Sequence, residues 1–149
     1  MATSKTSKAP AKKAKTETFS SAEKEAMRAA AKEAKKGKAN GLDDLRAAIA
    51  AMPQPDKGLA ERLHDIVSTA APSLKPKTWY GMPAWADDNG KAVCFFTPAA
   101  KFKARYASFG FNEQAKLDDG NMWVTSFALL KIGDAEEKKL TAMIKKAVA

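Results

Sequence analysis

The aromatic side chains are concentrated in one part of this 149-residue chain. Eleven of the twelve Phe, Trp and Tyr residues lie between Trp79 and Phe127. Upstream of Pro76 the apolar residues recur every three or four positions, whereas downstream they recur about every second position and β-rich residue types predominate. Because aromatic rings supply much of a small core's volume, the sheet and most of the core are expected in the C-terminal half.

Three helices are predicted before this region. The first spans 19–36, where Ser20 and Glu23 have the spacing of a capping box. Its apolar residues are mostly alanines, so it is expected to dock weakly or not at all. The second carries the apolar stripe Leu42, Leu45, Ile49 and Met52. The third is predicted from Gly58 to Ala70, ahead of Pro72.

The C-terminal half predicts an antiparallel meander followed by a helix. Strands are expected at 78–80, 84–86, 92–96, 105–109 and within 122–132. Asn89-Gly90 between two apolar runs is a strong hairpin signal. Asp134 is predicted to cap the last helix. The fold class is therefore α+β, with an antiparallel sheet covered on one face by helices.

Positive charge is concentrated at the N-terminus. The formal net charge is +9, but residues 1–41 hold 11 basic and 4 acidic side chains, which leaves +2 for the remainder. We therefore divide the chain into a disordered basic tail at 1–18, an Ala/Lys-rich helical extension at 19–41 and a domain at 42–149. Tails of this composition bind phosphates without sequence preference. The candidate nucleic-acid contacts are Lys5, Lys8, Lys12, Lys13 and Lys15.

Other sequence features bear on location. No apolar run approaches the ~20 residues that cross a bilayer, so no membrane partner is expected. A single cysteine cannot form an internal disulfide, and the N-terminus has no secretory leader with an apolar centre. The expected location is cytoplasmic.

The segment 79–85 reads Trp-Tyr-Gly-Met-Pro-Ala-Trp, follows a helix ending at Ala71-Pro72, and precedes Gly90, Lys91 and an apolar strand. This arrangement resembles the YdhG-like family, a domain of unknown function whose members include proteins labelled iron chaperone and one described as frataxin-like. The resemblance covers residues 42–149. It implies a frataxin-like sandwich, in which two helices pack on an antiparallel sheet, and iron as a candidate cofactor.

Two interpretations of this segment are open. Gly81 permits a positive φ, and Pro83 fixes its own φ and extends Met82, so the segment can form a rigid corner with core aromatics. Alternatively, Tyr80, Met82 and Trp85 line a pocket that holds a small ligand.

Hard ferrous or ferric ions favour carboxylate and imidazole ligands. The frataxin resemblance implies an acidic ridge on the first helix of the domain at 42–149 and on the adjoining strand edge, and that helix offers only Asp43 and Asp44 as candidate ligands. Acidic pairs of this kind are more often solvated turn or capping residues. The single histidine, His64, excludes every two-histidine metal site.

No phosphate loop, nucleophile elbow or dinucleotide fingerprint is present. Cys94 lies in an apolar strand, where a thiol is usually a small hydrophobe. A cluster of basic and aromatic residues consists of Lys101, Phe102, Lys103, Arg105 and Tyr106. It is interpreted either as a small positive patch or as a solvated edge strand whose lysines prevent pairing with another strand.

The chain is predicted to be a non-enzymatic carrier of iron or a small ligand. The alternative is a nucleic-acid-associated protein tethered by its tail.

Overall fold

The computed structural model describes residues 19–36 and 41–149, which form four helices and five strands in an α+β arrangement. In chain order the elements are α1 (Ser21–Lys36), α2 (Gly41–Ala50), α3 (Asp56–Ala70), β1 (Lys75–Trp79), β2 (Met82–Ala86), β3 (Ala92–Thr97), β4 (Ala107–Phe111), β5 (Ser126–Leu129) and α4 (Asp134–Val148). The tail predicted at 1–18 and its lysines lie outside the described residues. No described helix is long and apolar enough to cross a membrane.

The five strands form one antiparallel sheet in the order β1-β2-β3-β4-β5. Trp85 pairs with Cys94, and Phe96 pairs with Phe109. Because side chains alternate along a strand, these residues lie on the same face of the sheet. They share one buried core with helix residues that include Leu45, Ile49, Leu63, Val67, Leu140 and Ile144. The predicted sheet with helices on one face is therefore confirmed.

The opposite face, called the open face below, carries Lys75, Lys77, Trp79, Phe95, Ser126 and Ala128 by strand alternation. Ser126 and Ala128 are exposed, and Trp79 and Phe95 are half-buried. The Phe95 ring lies over Gly110, where an added Cβ would be 2.8 Å from the ring. Gly110 thus provides the space that Phe95 occupies on this face.

Four strands differ from the sequence prediction, and β3 lies within one residue of its predicted range. β1 and β2 begin at Lys75 and Met82 rather than at 78 and 84, and β1 ends at Trp79 rather than at 80. β4 begins at Ala107 rather than 105, because 98–106 forms a loop in which the amide of Ala104 donates to the carbonyl of Ala99 at 2.9 Å. β5 covers only four residues of the predicted run 122–132. It pairs with the short β4, and Met122 and Val124 before it are exposed.

The first and last helices, α1 and α4, are each preceded by a residue whose amide donates a hydrogen bond to a glutamate three positions later. The capping box of α1 is confirmed, since the Ser20 amide donates to Glu23 at 2.8 Å and the Glu23 amide to Ser20 Oγ at 3.1 Å. The cap predicted at Asp134 is wrong by one residue. Gly133 is the N-cap, and its amide donates to Glu136 at 2.8 Å. The next residue of α4, Glu137, forms an ion pair with Arg62 of α3.

Candidate functional site

The hairpin of β1 and β2 turns at Tyr80 and Gly81. Trp79 pairs with Met82, which leaves these two residues as the loop. Both have positive φ, 54° for Tyr80 and 79° for Gly81, as type I′ hairpin turns require. The positive φ predicted for Gly81 is confirmed. Tyr80 is less expected, because side chains with a Cβ rarely adopt this conformation.

A carboxylate from α1 binds the backbone of this turn. The Tyr80 amide donates to Glu33 Oε1 at 2.9 Å, and the Gly81 amide donates to Glu33 Oε2 at 3.0 Å. Hydrogen bonds to an ionised group are roughly twice as strong as neutral ones. The contact therefore docks α1 on the domain at the turn, although the alanine-rich sequence of α1 predicts little or no docking.

The predicted pocket residues are distributed over three locations. Trp85 is 1% exposed in the helix-covered core. Met82 is 8% exposed on the opposite face, where Thr97 Oγ1 donates to its sulfur at 3.3 Å. Tyr80 is 41% exposed at the turn. The structure does not bring Tyr80, Met82 and Trp85 together as a pocket wall, because residues three apart on a strand face opposite ways.

Trp85 is held by the chain's single histidine. The indole Nε1–H donates to His64 Nδ1 at 3.2 Å, and the two rings stack with centroids 6.2 Å apart. Accepting this bond requires Nδ1 of His64 to be unprotonated. Burial lowers the pKa of His64, an effect that nearby Arg46 adds to and Asp65 opposes. His64 of α3 is thus a hydrogen-bonding partner of the core indole.

We expect the free energy of unfolding to fall as the pH is lowered from about 7.5 to about 5.5. The pKa of His64 is lower in the folded protein than its unfolded value of about 6.5, so the unfolded chain binds more protons in this range. The stabilisation is present above the unfolded pKa and is lost as pH falls from that value through the lower pKa of the folded state. Protonation also breaks the bond to Trp85, which is worth about 1 kcal/mol. Urea unfolding at the two pH values measures the loss. An equal loss in the His64→Gln variant would assign it to other groups.

The acidic pair predicted to bind iron lies at the start of α2. Asp43 is exposed and Asp44 half-buried, both in the first turn, where negative side chains favour the helix dipole. Asp44 also lines a cavity of about 220 Å³ together with Glu33, Lys75 and Lys77. Across the two described ranges no group of three His, Cys, Asp or Glu side chains is arranged to hold a metal ion. The geometry of these residues gives an iron site at Asp43 and Asp44 no support.

Cys94 is fully buried in the middle of the sheet, 0% exposed, and burial alone raises the pKa of its thiol. Because the thiolate is the nucleophilic form, this environment does not activate the sulfur. His64, whose Nδ1 accepts from Trp85, is engaged in the core. The side chain of Cys94 therefore packs as a small apolar residue.

The basic and aromatic residues of 98–106 lie in the loop, not on a strand. Arg105 and Tyr106 are both exposed, with the guanidinium carbon 5.0 Å from the ring centroid. The loop is anchored by buried Asp56, which accepts the Ala100 amide at 2.9 Å. Lys103 and Arg105 therefore neither guard a strand edge nor share a strand face, because β4 begins at Ala107.

A shallow groove of about 490 Å³ includes Lys77 and Trp79 of the open face and extends to the β2–β3 turn. It is lined by Lys77, Trp79, Gly90, Lys91, Ala92, Asn112, Glu113 and Gln114. The Trp79 ring contacts Phe95, with centroids 4.8 Å apart. Lys77 Nζ donates to the Gly90 carbonyl at 3.2 Å, and Asn112 Nδ2 donates to the Ala92 carbonyl at 3.0 Å. An indole that contacts Phe95 and shares a groove with ammonium and amide groups can stack a planar ring, and the two lysines of the lining, Lys77 and Lys91, exceed its one carboxylate, Glu113.

The chain has no significant match among protein-family models, curated proteins or solved structures. The resemblance to the YdhG-like family therefore stays a prediction that rests on the residues of 79–85 and on the order of the elements.

Proposed function

We propose that this is a non-enzymatic nucleic-acid-binding protein. In this proposal the Lys-rich N-terminal segment is drawn to phosphates, and the groove of the open face stacks an unpaired base on Trp79. The observation that carries the proposal is the half-buried indole of Trp79, which lines that groove together with Lys77 and Lys91.

The unequal distribution of charge assigns different roles in binding to the N-terminal segment and to the domain at 42–149. The domain at 42–149 has a net charge of only +2, whereas residues 1–41 carry +7. Long-range attraction of a polyanion therefore comes from the extension. Aromatic side chains on an accessible sheet face are a common platform for single strands, because every base presents a flat π-surface.

A small-ligand carrier is less well supported by the same structure. The cavity beside Asp44 measures about 220 Å³, below the ~300–1,000 Å³ of typical ligand pockets. Tyr80, Met82 and Trp85 point in different directions, and the described acidic residues form no metal-binding group. The open-face groove is larger and combines stacking with positive charge.

Binding of a fluorescent single-stranded oligonucleotide, followed by anisotropy over a salt series, tests the proposal with the full chain. Replacing Lys5, Lys8, Lys12, Lys13 and Lys15 with Gln is expected to weaken binding. The slope of log affinity against log salt concentration should become shallower by about 0.7 for each phosphate that is no longer neutralised. Trp79→Leu is expected to weaken binding roughly 5- to 150-fold, since stacking contributes about 1–3 kcal/mol per base. It should leave the salt dependence nearly unchanged.

Trp123→Leu is the matched control, because Trp123 is an accessible tryptophan, 40% exposed, that does not line the groove. It should bind as the wild type does. If Trp79→Leu keeps wild-type affinity while its far-UV circular dichroism is native, the groove is not the stacking site. If the lysine variant keeps the full salt dependence, the tail does not carry the phosphate contacts.

A further inference from the structure

We propose that the turn at Tyr80 and Gly81 is an anion-binding site which Glu33 fills as an internal ligand. Displacement of α1 would then open the site to a phosphate or carboxylate group from another molecule. The turn adjoins the Trp79 groove, since the ring centroids of Trp79 and Tyr80 are 4.9 Å apart, but its two amides would bind an anion whether or not that groove binds nucleic acid.

The site is built from backbone donors. Two successive amides, those of Tyr80 and Gly81, converge on the two oxygens of one carboxylate at 2.9 and 3.0 Å. Consecutive amides that point into one concavity recognise anions without any side chain. A terminal phosphate oxygen pair has the same fork of acceptors as the Glu33 carboxylate. The geometry thus selects a class of group rather than glutamate itself.

A positive charge lies beside these amides. Lys101 Nζ is 3.4 Å from the position that a Cβ on Gly81 would occupy, and it is 3.9 Å from the carboxylate of Glu25. An anion at the turn would therefore bind next to an ammonium group. Gly81 is required here both for its φ of 79° and for its close approach to Ala29 of α1, whose Cβ would be 3.3 Å from a Cβ on Gly81.

The attachment of α1 is of a kind that a competing anion can replace. Among the described side chains of α1, Ala26 is buried and Ala22, Ala29 and Ala30 are half-buried, while Met27 and the preceding Phe19 are exposed. Glu33 makes two hydrogen bonds to the turn. The ion pair of Glu25 with Lys101 spans 3.9 Å between partly exposed groups and contributes little, so Glu33 is the stronger of these two polar contacts.

Internal occupation makes binding at the turn competitive. A ligand anion must displace Glu33, so its apparent affinity is the intrinsic affinity multiplied by the fraction of molecules in which α1 is undocked. Removing the Glu33 carboxylate should unmask the intrinsic affinity of the two amides. Removing another acidic side chain of α1 should not.

The amide resonances of Tyr80 and Gly81 in full-length 15N-labelled protein provide the readout. Wild type, Glu33→Ala and the control Glu25→Ala are titrated with inorganic phosphate and, separately, with acetate, at ionic strength held constant with sodium chloride. In Glu33→Ala we expect saturable shifts of both amides, with half-saturation at least tenfold below that of wild type and of Glu25→Ala. The more effective of the two anions identifies the preferred group.

Native shifts of the Cys94 and Phe109 amides in the sheet show that each variant is folded, and Glu33→Gln is the second variant should Glu33→Ala lose them. Glu33→Gln keeps one carbonyl acceptor for two donors, and an intermediate response is expected. The proposal is overturned if neither anion shifts the two amides in a folded Glu33 variant, or if wild type and variant respond at the same concentrations.

Discussion

Replacing Trp85 with alanine is expected to lower the free energy of unfolding by about 3–5 kcal/mol. The indole is 1% exposed, contacts Phe109 with ring centroids 6.2 Å apart and donates to His64. Removing it leaves a large cavity in the core and deprives His64 of its donor. Because domains of this size are stable by roughly 5–15 kcal/mol, chemical denaturation should show a large shift of the midpoint.

Trp123→Ala provides the matched control for that substitution. The same atoms are removed from a side chain that is 40% exposed, so the loss of stability should stay below about 1 kcal/mol. Similar losses in the two variants would contradict the assignment of Trp85 to the core and of Trp123 to the surface.

Replacing Gly41 with alanine is the second substitution with a large expected effect, about 2–3 kcal/mol of destabilisation. A Cβ at Gly41 would be 2.3 Å from the carbonyl oxygen of Pro76 in β1. That oxygen belongs to the backbone of a paired strand, so it cannot rotate away. The first turn of α2 would have to move off β1, which thermal and urea unfolding would both detect.

Gly58→Ala is the control, because Gly58 also lies in the first turns of a helix. An added Cβ there approaches only the side-chain oxygen of Gln54, at 3.1 Å, and that flexible group can move. Alanine favours helix by up to about 1 kcal/mol over glycine, which offsets the loss of the hydrogen bond from the Gly58 amide to Gln54. The free energy of unfolding of Gly58→Ala should stay within about 1 kcal/mol of the wild-type value. If Gly41→Ala is as stable as Gly58→Ala, α2 and β1 are not in this close contact.

The periodicity of apolar residues predicts the elements well where one face is clearly buried. Leu45 and Ile49 are buried in α2, as their spacing indicates. The start of β4 was misplaced because Arg105 and Tyr106 continue the loose alternation, although both are exposed in the preceding loop. Local pattern does not reveal a loop that is held in place by a distant group, here the buried Asp56 of α3.

Part of the candidate site could likewise be predicted from the sequence, and part could not. The turn at Gly81 follows from local chemistry, because glycine tolerates a positive φ and Pro83 constrains its neighbour. The spacing of Met82 and Trp85 also predicts that they face opposite sides of β2, provided that the segment is assumed to be a strand. Glu33 had no such signal, because its contact with Tyr80 spans 47 residues and nothing near either residue indicates the other.

By itself, the amino-acid sequence determined that helices precede an antiparallel sheet, that the aromatic half supplies the core, and that the positive charge belongs to the N-terminal extension. These properties depend on composition and on periods of two and 3.6 residues, which are local. Only the tertiary structure decided that α1 docks through Glu33, that Trp85 is buried against His64, and that Trp79 lies in an accessible groove. Each of these depends on which surfaces meet when strands pair and helices pack, and such long-range contacts are not encoded in any short stretch of chain.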